Sequence, residues 1–172
     1  MGWDDIQRGV TFCTRCGGRL AVRPPHPDER PRPVCDACGA VVYLDPKVAV
    51  GAIIAHESGI VLLKRAINPG YGKWVFPGGF ADRGEPLEAA AIRETREEVG
   101  LTVETVGLVG AYSYHDHPVV VVVYRGHVLG GALKAGEEAL DARVFQVSDL
   151  PWDDLAFPST AHAIKDYLAS VT

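Results

Sequence analysis

Apolar positions along this chain fall into two regimes that change near Asp45-Pro46. Beyond that point, Val48–Ala55 is an unbroken run of small apolar residues, the pattern of a buried strand. Ile60–Leu63 is a second such run, and the intervening Glu57-Ser58-Gly59 predicts a hairpin turn. Further strands are expected at Thr102–Val109, Ala111–His115, Val119–Val128 and Arg143–Val147. Two segments carry helical spacing instead. One follows Pro86, expected at the first helical position, and stops at Gly100, the usual punctuation of a helix. The other is expected to start after Ser159 as N-cap and to bury Ile164, Leu168 and Val171. Strands and helices mix without a regular βαβ repeat, which predicts an α+β fold with a mixed sheet and helices on its faces.

Before Asp45 the pattern is different. Arg19–Val34 holds five prolines and mixed charge, and predicts an extended loop. The chain thus divides into a small domain, residues 1–44, and a larger one, residues 45–172. A length of 172 residues has room for one ordinary domain plus such an appendage.

Four cysteines change the reading of the first domain. They stand as Cys13-x2-Cys16 and Cys35-x2-Cys38, a spacing that reads as a structural zinc site of four thiolates. Gly17-Gly18 and Gly39 follow the second cysteine of each pair, where glycine lets the chain turn back and offer N–H groups to the sulfurs. Two disulfides or a redox pair are the alternatives, and the duplicated CxxCG pattern favours zinc. The intervening segment would then join the halves of a zinc ribbon, with His26 a solvated loop residue.

Charge excludes some partners. A net charge of −5 gives no general attraction to nucleic acid or anionic membranes. Residues 1–44 hold six arginines against five acids, so 6 − 5 = +1, too weak for a phosphate-tracking surface. No nucleic-acid partner is expected. No apolar run reaches the roughly 20 residues of a membrane span. The opening MGWDDIQRGV has neither a basic start nor an apolar core, and Ile6 stands where myristoylation wants Ser or Thr, so a cytoplasmic protein is expected.

The chemistry concentrates between Gly79 and Leu101. Glu94, Glu97 and Glu98 stand at i, i+3 and i+4 and project from one helix face. Like charges at that spacing repel, so the face calls for a cation. The full arrangement, Gly79-x5-Glu85-x7-Arg93-Glu94-x2-Glu97-Glu98-x-Gly100-Leu101, resembles the Nudix box, GX5EX7REUXEEXGU. Thr95 departs from it where a bulky aliphatic is usual; that position faces the sheet and bears on packing.

The resemblance covers nearly the whole chain and is nearest to zinc-ribbon-bearing members: the NADH pyrophosphatases and especially an ADP-ribose/FAD pyrophosphatase group. It implies a Nudix α/β/α sandwich with a mixed sheet, preceded by the zinc ribbon. It implies hydrolysis of the pyrophosphate bond in a nucleoside diphosphate linked to another moiety, giving AMP from adenine substrates, with Mg²⁺ or Mn²⁺. By the family pattern Glu97, Glu98 and the Gly79 carbonyl hold metal, Glu94 is a further ligand or the water-activating base, and Arg93 and Glu85 orient these carboxylates. Glu138 is a candidate for an extra metal contact, with Glu137 its competitor. Leu155–Thr160 resembles the C-terminal pattern of the ADP-ribose/FAD group, whereas the SQPWPFP stretch of NADH pyrophosphatases has no counterpart. Hydrolysis of NADH, removal of NAD caps from RNA, and a non-enzymatic ligand sensor are the rival readings. Homodimers are common among such relatives, but no interface is legible. Trp74, Phe76, Tyr112, Tyr114, His115 and His117 could stack on a nucleotide, though packing or turn roles suit each better.

Overall fold

The computed structural model describes residues 9–56 and 59–171. Met1–Arg8, including Ile6, and the Glu57-Ser58 portion of the expected hairpin turn lie outside the described residues. The chain forms two compact units. One runs to Lys47 and takes in Tyr114–Val119; the other holds Val48–Ser113 and continues from Val120.

In the smaller unit β1 (Leu20–Arg23) and β2 (Arg32–Cys35) form an antiparallel pair, in register from Leu20 opposite Cys35 to Arg23 opposite Arg32. The proline-rich stretch is therefore a loop only in its middle. Its ends pair because buried Val34 and Cys35 give β2 something to pack against. His26 is exposed.

The larger unit is built on a seven-stranded mixed sheet. Its strands are β3 (Lys47–His56), β4 (Gly59–Arg65), β5 (Trp74–Val75), β6 (Gly78–Phe80), β7 (Leu101–Tyr112), β8 (Val119–Gly131) and β9 (Ala139–Gln146). The order is β5-β4-β3-β8-β7, with β6 paired to β3 and β9 to β4. Two helices accompany it, α1 (Leu87–Val99) and α2 (Pro158–Val171). Alternate residues of β3 and β4 feed separate clusters. Ile53, Ile60 and Leu62 pack with Ala163 and Ile164 of α2, whereas Ala52, Ile54, Val61 and Leu63 pack with Val99 at the end of α1. A strand that buries both faces needs apolar residues at every position, hence the unbroken runs in the sequence. This is the expected α+β sandwich. Among the described residues no helix is long and apolar enough to cross a membrane.

Several expectations shift. Thr102–Val109 and Ala111–His115 are one strand, β7, whose pairing with β8 slips near Gly107 and Gly110; bulges there absorb residues that broke the pattern in sequence. β7 ends at Tyr112, leaving His115 in a turn. β9 starts at Ala139 rather than Arg143, because Ala139–Gln146 runs along the whole of β4. Pro86 is extended, with φ −60° and ψ 136°, and caps α1 from outside. α2 already begins at Pro158, a residue preset for a first turn, so Ser159 lies within the helix and is buried. Ile164 is buried and Leu168 half-buried, but Val171 is 55% exposed because the last turn runs past the sheet.

Candidate active site

Helix α1 carries the acidic face, and its packing fixes where that face points. Ala90 and Ala91 are fully buried, as is Thr95, whose hydroxyl donates to the Ala91 carbonyl at 2.8 Å and so needs no other partner. Thr95 at an aliphatic position is thus accommodated. Ala89, by contrast, is exposed. The helix stops at Gly100, with φ 71°, and the Gly100 N–H bonds the Arg96 carbonyl. Further orphan carbonyls at this end are used by the chain after β8: Gly136 N–H donates to Glu98 O at 2.8 Å and Lys134 N–H to Val99 O at 3.1 Å. Those bonds bring Glu137 and Glu138 beside the helix.

The result is a cleft of about 760 Å³. It is lined by Arg65, Ile67, Gly78–Phe80, Asp82, Arg93, Glu94, Glu97, Glu98 and 136–138. Of the residues that the sequence singles out, Gly79, Arg93, Glu94, Glu97, Glu98 and Glu138 meet on this surface, and so does Glu137. Glu85 lies behind it and reaches it through Arg93.

Arg93 organises the carboxylates. Its Nε and Nη2 donate to the two oxygens of Glu85, each at 2.9 Å. Nη1 donates to Glu94 at 2.7 Å and to Glu97 at 3.3 Å, and Nη2 also reaches the Phe80 carbonyl at 3.3 Å. The guanidinium is fully engaged, which raises its pKa further above the ordinary arginine range. Glu85 also accepts from the Asp82 N–H at 3.0 Å, and the Arg93 bond, aided by that one, holds its carboxyl down to about 2.

Glu98 differs. Burial pushes its carboxyl up to about 7, against the pull of the Gly78 N–H that donates to it at 2.7 Å, with the charges of Glu94 and Glu138 adding to the rise. Gly79 of β6 lies against the acidic face of α1. A Cβ there would stand 2.5–2.6 Å from the Glu94 carboxyl carbon and oxygens, so any larger residue would push that carboxylate aside.

Six carboxylates (Asp82, Glu94, Glu97, Glu98, Glu137 and Glu138) line the cleft against two arginines. Hard oxygen donors in excess, one held up by burial, are a donor set suited to Mg²⁺ or Mn²⁺. An anion entering alone would be repelled.

In the smaller unit Cys13, Cys16, Cys35 and Cys38 bring their Sγ atoms within 4.8 Å of one another. Cys13 and Cys38 are 3.9 Å apart and Cys16 and Cys35 3.5 Å. A tetrahedron of zinc–sulfur bonds of about 2.3 Å has edges of about 3.8 Å, so the cluster fits one zinc ion. None of the four is in a disulfide. The Arg15 and Gly18 N–H groups donate to the Cys13 and Cys16 sulfurs, both at 3.4 Å, an arrangement that stabilises thiolates.

Sequence reasoning missed Arg65, Ile67, Gly78, Phe80, Asp82 and Gly136 as cleft residues. The available signal was that Lys64-Arg65 closes an apolar strand just before the stretch Asn68–Phe80, rich in glycine, proline and aromatics. The aromatic candidates are elsewhere: Trp74 and Phe76 are core residues, the Tyr112 hydroxyl donates to Asp166 at 2.8 Å, and Tyr114, His115 and His117 do not line the cleft.

Comparison with known proteins agrees with this geometry. Residues 45–167 match the NUDIX domain and residues 11–44 the Nudix N-terminal zinc ribbon. The chain is 42% identical over 131 residues to the ADP-ribose pyrophosphatase of Methanocaldococcus jannaschii, covering 74% of this chain and 76% of that protein. It is 31% identical over 173 residues to the NAD-capped RNA hydrolase NudC of Deinococcus radiodurans, covering 97% of this chain but only 60% of that longer protein. A crystal structure of a NUDIX hydrolase from Nitrosomonas europaea superposes with a TM-score of 0.88 at 37% identity, over 94% of this chain and 92% of that one. With both regions matched and Gly79, Arg93, Glu94, Glu97 and Glu98 on one cleft, this chain belongs to the Nudix hydrolase family and carries the family's N-terminal zinc ribbon.

Proposed function

We propose that this enzyme uses Mg²⁺ or Mn²⁺ to hydrolyse the pyrophosphate bond of ADP-ribose or FAD, releasing AMP and a phosphorylated second product. The observation that carries the reading is the convergence of Glu94, Glu97 and Glu98 on the Gly79 loop within one carboxylate-rich cleft. The likeness to the M. jannaschii ADP-ribose pyrophosphatase supports the substrate class.

In this reading Glu97, Glu98 and the Gly79 carbonyl hold the divalent ion, with Glu138 a further ligand across the cleft. Glu94 is either a ligand or the base that takes a proton from the attacking water. Arg93, fixed by Glu85, keeps Glu94 and Glu97 aimed into the cleft. The bound ion would offset substrate charge and lower the pKa of a coordinated water. The four cysteines hold zinc that folds the ribbon and takes no part in the reaction. Free thiols poised for metal suit a reducing compartment, the cytoplasm. We take residues 1–44 as the ribbon and 45–172 as the catalytic domain.

A second reading, removal of nicotinamide-dinucleotide caps, is favoured by the alignment with the D. radiodurans protein, which runs through the ribbon as well as the catalytic domain. One panel separates the two: ADP-ribose, FAD, NADH and an NAD-capped RNA, each with and without Mg²⁺, products resolved by mass. The proposal expects Mg²⁺-dependent AMP release with ADP-ribose or FAD preferred. Preference for the capped RNA would favour the second reading, and hydrolysis of none would overturn both.

A further inference from the structure

Arg65 lines the cleft, and among the described residues it forms no ion pair with the carboxylates there, although its charge acts on Glu98. We propose that Arg65 is the side chain through which the cleft contacts a substrate phosphate, and that Phe157, from the C-terminal Leu155–Thr160 segment, positions it. The inference rests on the diphosphate-hydrolase reading above and concerns the phosphate common to all its substrates.

Arg93, the other cation of the cleft, already donates from every guanidinium nitrogen. Arg65 spends only Nε, on the Pro69 carbonyl at 2.8 Å. Among the described residues its two Nη groups have no hydrogen-bond partner and no ion pair, although acidic side chains line the same cleft. Its charge acts on Glu98, yet neither Nη is bonded to a carboxylate of the described residues, so the paired Nη donors are available to match two oxygens of a phosphate.

The side chain is also held in place. The Arg65 N–H donates to the Lys73 carbonyl and its carbonyl accepts from the Gly72 N–H, both at 2.9 Å, so the loop closes on it from both sides. The guanidinium carbon lies 5.2 Å from the Phe157 ring centroid, a cation–π arrangement that holds the guanidinium without using its N–H donors. Phe157 is itself anchored. The Ala156 N–H donates to the Trp74 carbonyl at 2.8 Å, and the Phe157 carbonyl accepts from Thr160 N–H at 3.0 Å at the start of α2. The C-terminal segment thus acts on the cleft through one ring, which gives a physical role to a stretch otherwise known only by resemblance.

The test is steady-state kinetics of the full chain with Mg²⁺ on ADP-ribose, FAD and NADH. It compares wild type, Arg65→Met, Arg65→Lys, Phe157→Leu, Phe157→Tyr and the Arg65→Met/Phe157→Leu double variant. Thermal melts and Mn²⁺ titration by electron paramagnetic resonance monitor folding and the carboxylate site. Arg65→Met is expected to raise KM on the order of 10- to 100-fold for whichever substrates wild type turns over, the range of a lost charge-assisted hydrogen bond. Arg65→Lys keeps the charge beside Glu98, so it recovers part of that loss with Mn²⁺ affinity unchanged. Phe157→Leu raises KM several-fold, Phe157→Tyr restores it, and Phe157→Leu adds nothing in the Arg65→Met background. Unchanged KM in folded Arg65→Met, with wild type active, would overturn the phosphate contact while leaving the hydrolase reading intact. Additive effects of the two substitutions would overturn the positioning role of Phe157. Wild type inactive on all three substrates would count against the hydrolase reading, and the inference would fall with it.

Discussion

Glu98 carries two opposed demands. It is the most buried carboxylate of the cleft, at 9% exposed, yet the proposed chemistry needs it ionised. Without a cation its carboxyl sits near 7 rather than 4.5. The sign follows from linkage. Below about pH 4.5 the group is protonated folded and unfolded; between 4.5 and 7 the unfolded chain ionises first, so stability falls as pH rises through that window. In Mg²⁺-free buffer, wild type should lose stability from pH 5 to 7.5 relative to Glu98→Gln, by a few kcal/mol at most on the scale of 1.4 kcal/mol per unit. Denaturant midpoints across that range measure it, and parallel profiles would refute it. Adding Mg²⁺ below pH 7 should release protons as Glu98 ionises, which titration calorimetry in buffers of different ionisation enthalpy would detect. The triplet Glu94, Glu97 and Glu98 was legible in the sequence because i, i+3 and i+4 is a local relation. The burial of one member was not, since it depends on Gly78, contributed by a different strand.

At the scale of elements, the site is the later part of α1 meeting strand β6 and the chain after β8. α1 had to stop where the chain after β8 could take up its last carbonyls, and Gly100 makes that stop. Its φ of 71° is costly for any residue with a Cβ, by about 1–2 kcal/mol, and a Cβ there would stand 2.7 Å from the Ala132 carbonyl oxygen. Gly100→Ala should therefore lower the melting temperature by several degrees and weaken activity through the displaced Glu137-Glu138 loop. An unchanged melting temperature would contradict this account of the helix end. The helix itself was legible from its punctuation and periodicity, to within the one residue by which Pro86 proved to be cap rather than first turn. Strands β3, β4 and β8 were legible as apolar runs, whereas β1, β2, β5 and β6 were not. What periodicity could not show was that β7 stays one strand through Gly107 and Gly110, because a bulge is set by the partner strand and leaves only a break in the local pattern. Likewise, Arg65 and Phe157 lie far apart in sequence, so no spacing rule joins them.

At the scale of the molecule, the chain pairs a four-cysteine ribbon with a domain that has its own apolar core. The ribbon's described part buries few apolar side chains beyond Cys13, Val34 and Cys35, too little to hold a small domain by burial alone. Its stability should come from zinc. The purified protein is expected to hold one zinc per chain by elemental analysis, and Cys35→Ser or a thiol-modifying reagent should release it and unfold the ribbon, while the catalytic domain keeps its own melting transition. A ribbon that stays folded without zinc would refute the assignment. The four-thiolate arrangement was readable from paired CxxC spacing because each pair is local and only one separation joins them. The substrate was far less readable, since recognition of a nucleotide uses surfaces assembled from distant segments.

The central claim is that the carboxylates on α1 hold a divalent ion for diphosphate hydrolysis. Glu97 tests it most directly, because its side chain is 59% exposed and its loss leaves the core untouched. The measurement is Mg²⁺-dependent turnover of ADP-ribose by wild type and Glu97→Gln at equal melting temperature. A fall in kcat of several orders of magnitude, with the fold intact, is the predicted result. Turnover by Glu97→Gln at the wild-type rate would contradict it.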